Sequence, residues 1–271
     1  MSYIKNAQEI EKIAEGGRLM GMILEELTAM VTPGVSVAEI DRRAERLIHE
    51  AGGRPAFKGY QPRASDTPFP AAICASVNDE LVHGIPSKNK ILREGDILSI
   101  DIGMEYPYEG NSKQRGFFTD TAVTVTVGKV PKTVKKLIDV TRAALETAIA
   151  QCTSGNSIAD VGKAIESYVR TQGPYGIVRD LIGHGVGHAV HEEPAVPNYY
   201  SRELETWKLK PGVVIAIEPM ITLGGWQVVT DPDHWTIRTK DRSLCAHFEH
   251  TVVITEGEPI VATRRPGEMS S

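Results

Sequence analysis

Two eight-residue stretches, far apart in the chain, narrow the choice of fold more than any other feature. Thr32-Pro33-Gly34-Val35-Ser36-Val37-Ala38-Glu39 and Thr153-Ser154-Gly155-Asn156-Ser157-Ile158-Ala159-Asp160 share one pattern, a Thr-x-Gly turn followed by Ser-x-Ala and an acid. A serine with an acidic residue three positions on is a capping box, which opens a helix. Each copy follows a long amphipathic segment. Ile10, Ile13, Ala14, Gly17, Met20, Gly21 and Leu24 recur at helical spacing over 7–30, and Val134, Leu137, Ile138, Ala144 and Ala148 over 133–150. Each copy also precedes a run of strands. Capping boxes are common, so two alike carry little weight alone. The repeated order of helix, turn, helix and strands points to an α+β domain with two related halves, about 7–128 and 131–256, and a cleft between them. No linker divides the chain, so one catalytic domain over 1–271 is expected.

Strands are expected at 72–77, 97–102, 119–127, 213–217 and 247–254. In the third, Val123, Val125 and Val127 alternate with Asp120, Ala122 and Thr124. Residues 104–116 are polar and rich in turn formers, so the flanking strands form a hairpin. The stretch 61–70 reads as a surface loop, and the chain is expected to fray after Pro266.

In or beside these apolar runs stand Asp101, Asp120, His184, Glu218 and Glu249. A carboxylate in an apolar strand is costly unless it is paired or binds a metal. One aspartate at a strand end is most simply a cap, but two on facing strands repel unless a cation lies between them. For each glutamate a salt bridge is the simpler alternative, yet no lysine or arginine lies within these strands. His184, His188 and His191 fall within eight residues, among Gly183, Gly185 and Gly187. A lone histidine is usually structural; three among glycines point to a metal or catalytic role. Four carboxylates and one imidazole suit two divalent ions, Co, Mn, Fe or Zn. His83, in Val82-His83-Gly84-Ile85-Pro86, would alone be a surface residue. With His191 it can bind and stabilise a substrate amide.

Composition excludes several other classes. The net charge of −5 over 271 residues comes from interspersed charges with no long basic run, which argues against a nucleic-acid function. Cys74, Cys152 and Cys245 are far apart, so reduced thiols in a cytoplasmic protein are expected. The N-terminus has no apolar leader core and no long uncharged apolar stretch follows, so neither export nor a membrane partner is expected.

The motifs Ser76-Val77-Asn78-Asp79, His83-Gly84-Ile85-Pro86, Gly183-His184-Gly185-Val186-Gly187, His191-Glu192-Glu193-Pro194, Ile217-Glu218-Pro219-Met220, Thr239-Lys240-Asp241-Arg242-Ser243 and Phe248-Glu249-His250-Thr251 resemble, in this order, the type I methionine aminopeptidase family. The likeness runs from about Ile4 to Thr255. It implies the pita-bread fold, an α+β domain with pseudo-twofold halves, and removal of the initiator methionine from nascent chains, with a small second residue preferred. The chain's own Met1-Ser2 would be a permitted substrate. By this resemblance Asp101, Asp120, His184, Glu218 and Glu249 hold two metal ions, with Asp120 and Glu249 shared between them. Glu218 would shuttle the proton, His191 would hydrogen-bond the scissile carbonyl, and His83 would contact the scissile nitrogen. The metals would also take the substrate's α-amine, which explains exopeptidase action. Tyr60, Phe69, Cys74 and Trp235 would line the methionine pocket, while Phe57 reads better as core. His188 and His250 would be structural or would orient ligand carboxylates. A monomer is expected, and the resemblance leaves room for a transient ribosome contact.

Three departures from the family pattern bear on fine substrate preference: a lengthened 61–70 loop, a longer hairpin between Asp101 and Asp120, and Val190 where a bulky aromatic often stands. The nearest rival is an Xaa-Pro aminopeptidase or dipeptidase of the same fold, which uses the same five ligands but carries an extra N-terminal domain for which this chain is expected to have no room. Type II enzymes insert a helical segment between the His191 and Glu218 motifs, and only a short stretch separates them here. Docking through the N-terminal zinc-finger extension of some type I relatives is not expected. A non-catalytic binding protein on this fold would lose ligands and gain basic tails.

Overall fold

The computed structural model describes residues 3–110 and 115–268. Its first helix, α1 (Ala7–Ala29), is capped by Asn6, whose side chain accepts from the N–H groups of Gln8 and Glu9. The octapeptide boxes both close. Glu39 accepts the Ser36 N–H at 2.9 Å and opens α2 (Val37–Glu50); Asp160 accepts the Ser157 N–H at 2.8 Å and opens α4 (Ile158–Gln172). Each box supplies acceptors for helix N–H groups that have no partner within the helix. Helix α3 (Lys132–Ile149) packs on α4, and α1 packs on α2 and on the Asp101–Asp120 hairpin. One apolar cluster joins Met20 and Leu24 of α1, Leu137 of α3, Ile165 of α4 and the strand residues Ile100 and Ile215.

The strand pairings are all antiparallel. In one sheet the central strand Ile97–Tyr106 pairs with Ile73–Val77 and Arg54–Pro55 on one side and Phe117–Thr126 on the other. A five-stranded sheet runs in the order Ile260–Val261, His250–Val253, Val214–Ile217, Gly183–Gly185, Glu192–Val196. The two sheets meet where Ala122 and Glu249 exchange backbone hydrogen bonds of 2.9 and 3.3 Å, and where the Thr251 hydroxyl accepts the Asp120 N–H. This is the α+β pita-bread fold, with the carboxylates at that seam.

Three expectations need correction. The hairpin strands are longer than 97–102 and 119–127 suggested: Met104 is fully buried within the first, and the second begins at Phe117. The core continues beneath them, which a polar local sequence conceals; residues 111–114 at the hairpin tip lie outside the described residues. The expected strand at 247–254 is two strands, Cys245–His247 and His250–Val253, belonging to different sheets. Residues past Pro266 do not all fray. Pro266–Glu268 forms a short turn in which the Gly267 N–H bonds the Glu25 carboxylate at 3.0 Å and Glu268 pairs with Arg265. Gly21 of α1 allows this approach, since a Cβ there would lie 2.4 Å from the Arg264 carbonyl oxygen. Met1 and Ser2, named above as a substrate end, and 269–271 lie outside the described residues.

Candidate active site

Strand register explains how the acidic groups come together. In the hairpin Asp101 stands opposite Ala122 and Gly103 opposite Asp120, so the two aspartates are diagonal neighbours on one face. The second sheet repeats this device: His184 stands opposite Ala216, and Glu218 follows two positions on. His250 pairs with Ile217, so the next step of that ladder brings Glu249 towards Glu218. Both glutamates therefore sit where one short strand ends and the chain passes to another sheet. Ligand atoms of Asp120, His184 and Glu249 all lie within 4.8 Å of one another. Asn198, fully buried, donates to the Glu218 carbonyl oxygen at 3.0 Å and holds that corner in place.

The electrostatics are those of a cation site. Asp101 Oδ1, Asp120 Oδ1 and Glu249 Oε1 are buried and have no hydrogen-bond partner among the described residues. Burial lifts Asp101 to about 6. Burial and then the charges of Asp101 and Glu218 drive Asp120 well above the carboxylate range. Glu249 rises likewise, through burial and then Asp120. Glu218 differs. Burial pushes it up, but His247 and then His184 outweigh that and hold it below its ordinary value. Orphaned oxygens on mutually repelling carboxylates, with one imidazole at the rim, fit hard divalent ions.

Above this floor stand two neutral histidines. His191 is held down to about 4 by burial and by His184, whose ring centre is 4.4 Å away. Its Nδ1 lies 2.8 Å from the Tyr60 hydroxyl. His83 is also lowered by burial, and its left-handed backbone (φ 56°) turns it in after the strand Glu80–Val82. Phe69 meets Trp235 edge-on at 5.2 Å, and the Trp235 indole N–H bonds the Thr67 carbonyl, docking the 61–70 loop beside the pocket. The residues named from the sequence as metal ligands, substrate-contacting histidines and pocket wall line one cavity of about 370 Å³: the five charged-site residues, His83, His191, Tyr60, Phe69, Cys74 and Trp235. Burial, then the charge of Asp101, keeps the Cys74 thiol protonated.

The sequence profile of metallopeptidase family M24 matches residues 11–256. The chain belongs to this family. The chain is a hydrolase, and methionine aminopeptidases match it over nearly the full length of both chains. That of Borreliella burgdorferi is 43% identical over 258 residues, covering 95% of this chain and 96% of the relative. That of Escherichia coli is 36% identical and covers 97% and 94%. The crystal structure of the Thermotoga maritima methionine aminopeptidase superposes with a TM-score of 0.87 at 38% identity, covering 97% of this chain and 99% of that one. The Pyrococcus horikoshii prolidase shares the fold, with a TM-score of 0.72 at 22% identity, and 63% of its chain is covered.

Several residues of this M24 peptidase's site escape sequence reasoning. His247 is almost fully buried, its Nε2 is 3.5 Å from Glu218 Oε2 and 4.0 Å from Glu249 Oε2, and neither ring nitrogen has a hydrogen-bond partner among the described residues. Its place two positions before Glu249, where period-2 alternation turns it to the same side, was the available signal. Phe57, read as core, lines the cavity together with Leu181 and Ile182, whereas Val190 packs behind with Phe69 and Cys74. Of the two roles expected for His188 and His250, the structural one holds, and neither bonds a site carboxylate among the described residues. His188 bonds Glu9 at 2.9 Å; His250 bonds the Thr263 hydroxyl at 2.9 Å and pairs with Glu268.

Proposed function

We propose that this M24 peptidase removes N-terminal methionine from newly made polypeptides in the cytoplasm, preferring a small second residue. The reading extends over 1–271 as one catalytic domain of two related halves. The observation that carries it is a floor of buried carboxylates beneath an apolar pocket, three of them with an oxygen that has no hydrogen-bond partner among the described residues. Asp101, Asp120, His184, Glu218 and Glu249 would hold two divalent ions, Co, Mn, Fe or Zn. When bound, such ions supply Lewis acidity at the scissile carbonyl, lower the pKa of water and anchor the substrate's α-amine.

The chain's own groups divide the remaining work. Glu218, kept ionised by its imidazole neighbours, accepts a proton from the attacking water and passes it to the leaving amine. With the Tyr60 hydroxyl donating to Nδ1, neutral His191 keeps its proton on Nε2 and offers it to the scissile carbonyl oxygen as negative charge develops. His83 faces the scissile nitrogen. Phe57, Phe69, Cys74 and Trp235 form an apolar slot for an unbranched thioether, whose sulfur makes favourable contacts with aromatic rings. The partners are peptides and nascent chains beginning with methionine, with a transient ribosome contact, and the chain acts as a monomer without nucleic acid. No described helix is long and apolar enough to cross a membrane.

The test is hydrolysis of Met-Ala-Ser and Ala-Pro-Ser by metal-loaded protein, with Glu218→Ala as control. Release of methionine from the first peptide alone, lost in the control, supports the proposal. Preference for the second moves the chain to the proline-specific enzymes, and cleavage of neither points to a binding protein.

A further inference from the structure

The segment ahead of α1 sends a buried cation towards the loop that bears His191. The Lys5 side chain is fully shielded from solvent; its Nζ lies 2.6 Å from Glu192 Oε2 and 3.1 Å from the Tyr3 carbonyl oxygen. The other Glu192 oxygen accepts the Ala189 N–H at 2.7 Å. Glu192 directly follows His191, so this one carboxylate ties down the main chain on both sides of it. Gly187 makes room for the clamp: a Cβ there would meet Lys5 Cε at 2.6 Å. Lys5 is itself anchored, its N–H bonding the Gly212 carbonyl at 2.7 Å. A second tie lies one residue beyond Gly187, where His188 bonds Glu9 Oε1; the other Glu9 oxygen closes the capping box of α1 on the Asn6 N–H.

Burying a lysine–carboxylate pair adds little stability over two well-packed apolar side chains, so its presence calls for a reason in orientation rather than in folding energy. We propose that Lys5 is a positioning residue for the hydrolysis: through Glu192 it fixes residues 189–192, and so the direction in which His191 presents its imidazole to substrate. The Tyr60 hydroxyl orients the ring from the opposite end. This inference rests on the reading of His191 as the group that meets the scissile carbonyl. Small displacements of such a group carry large rate penalties while leaving substrate affinity nearly intact.

The experiment is a double-mutant cycle in the metal-loaded enzyme with Lys5→Met, His191→Ala and both, reading kcat, KM and metal affinity. Expected are a fall in kcat of about tenfold for Lys5→Met, with KM and metal affinity within about threefold of wild type, and no further fall when it is added to His191→Ala. A Lys5→Met effect of equal size with and without His191 overturns the proposal. An unchanged kcat in His191→Ala overturns the reading of His191 first, and the proposal with it. Because Lys5→Met strands a buried carboxylate, the charge-free pair Lys5→Met/Glu192→Met is measured in parallel. It should recover the melting temperature but not kcat; recovery of both would show that apolar packing alone holds the loop, and would overturn the assignment.

Discussion

His247 Nε2 faces Glu218 Oε2 at 3.5 Å, buried behind the carboxylate that lines the cavity and out of reach of solvent. His184 Nε2 approaches the other Glu218 oxygen, Oε1, at 3.7 Å. The carboxylate assigned the proton transfer thus stands between two imidazoles, and His247 is among the groups that hold it below its ordinary pKa against the effect of burial. Replacing His247 by Leu removes that support, so the Glu218 pKa rises. The acid limb of kcat/KM for Met-Ala-Ser then moves to higher pH, and kcat falls by about tenfold or more. His247→Gln keeps a donor and retains more of the rate. A pH–rate profile of both variants checks this.

Tyr60 and His191 set the second prediction. Tyr60→Phe removes the hydroxyl 2.8 Å from Nδ1 and frees the imidazole to take either tautomer. The expected result is a kcat lower by about three- to tenfold with little change in KM, whereas His191→Ala costs on the order of a hundredfold. Steady-state kinetics on one peptide separate the two.

The repelling carboxylates make the metal-free protein pH-sensitive. Asp101, Asp120 and Glu249 all have raised folded-state values, so the folded chain holds these protons more tightly than the unfolded chain does. Their penalty is absent below the ordinary carboxylate range of about 4 and grows as pH rises through about 6 and beyond. A divalent ion removes the penalty and binds only the deprotonated form. The rise in melting temperature on adding metal should therefore increase from pH 5 to pH 8. Asp120→Asn should raise the melting temperature of the metal-free protein by about 3 °C or more while abolishing activity. Thermal melts with and without metal test both.

Trp235 is half-buried, so its removal spares the core while opening one wall of the slot and releasing the Thr67 carbonyl. Trp235→Ala should raise KM for methionyl peptides by about tenfold, the equivalent of roughly 1.4 kcal/mol of lost apolar contact, with a smaller change in kcat. Comparing Met-Ala-Ser with a norleucine analogue gives the measurement.

Sequence reading succeeds here where the signal is local. The Ser36 and Ser157 boxes, the hairpin that puts Asp101 and Asp120 on one face, and the grouping of Asp101, Asp120, His184, Glu218 and Glu249 all follow from short patterns of charge and period. It fails where the chain changes sheets. The stretch from His247 to Ile254 looks like one strand, and nothing local reveals the step at Phe248 and Glu249 that aims the carboxylate. It fails again where a residue's meaning lies in a distant partner. Nothing in the sequence marks Lys5 as the partner of Glu192, His188 looks like a site histidine until Glu9 is beside it, and the docked turn at Pro266–Glu268 depends on Glu25.

The most direct test of the metal centre is a calorimetric titration of metal-stripped protein with a divalent ion, with methionine release from Met-Ala-Ser measured on the same samples. The stripped protein should be inactive, rate should rise in step with bound metal, and Asp120→Asn/Glu249→Gln should lose both together. Full activity in verified metal-free protein, or undiminished metal binding in that double variant, would contradict the assignment of the buried carboxylates as the catalytic metal site.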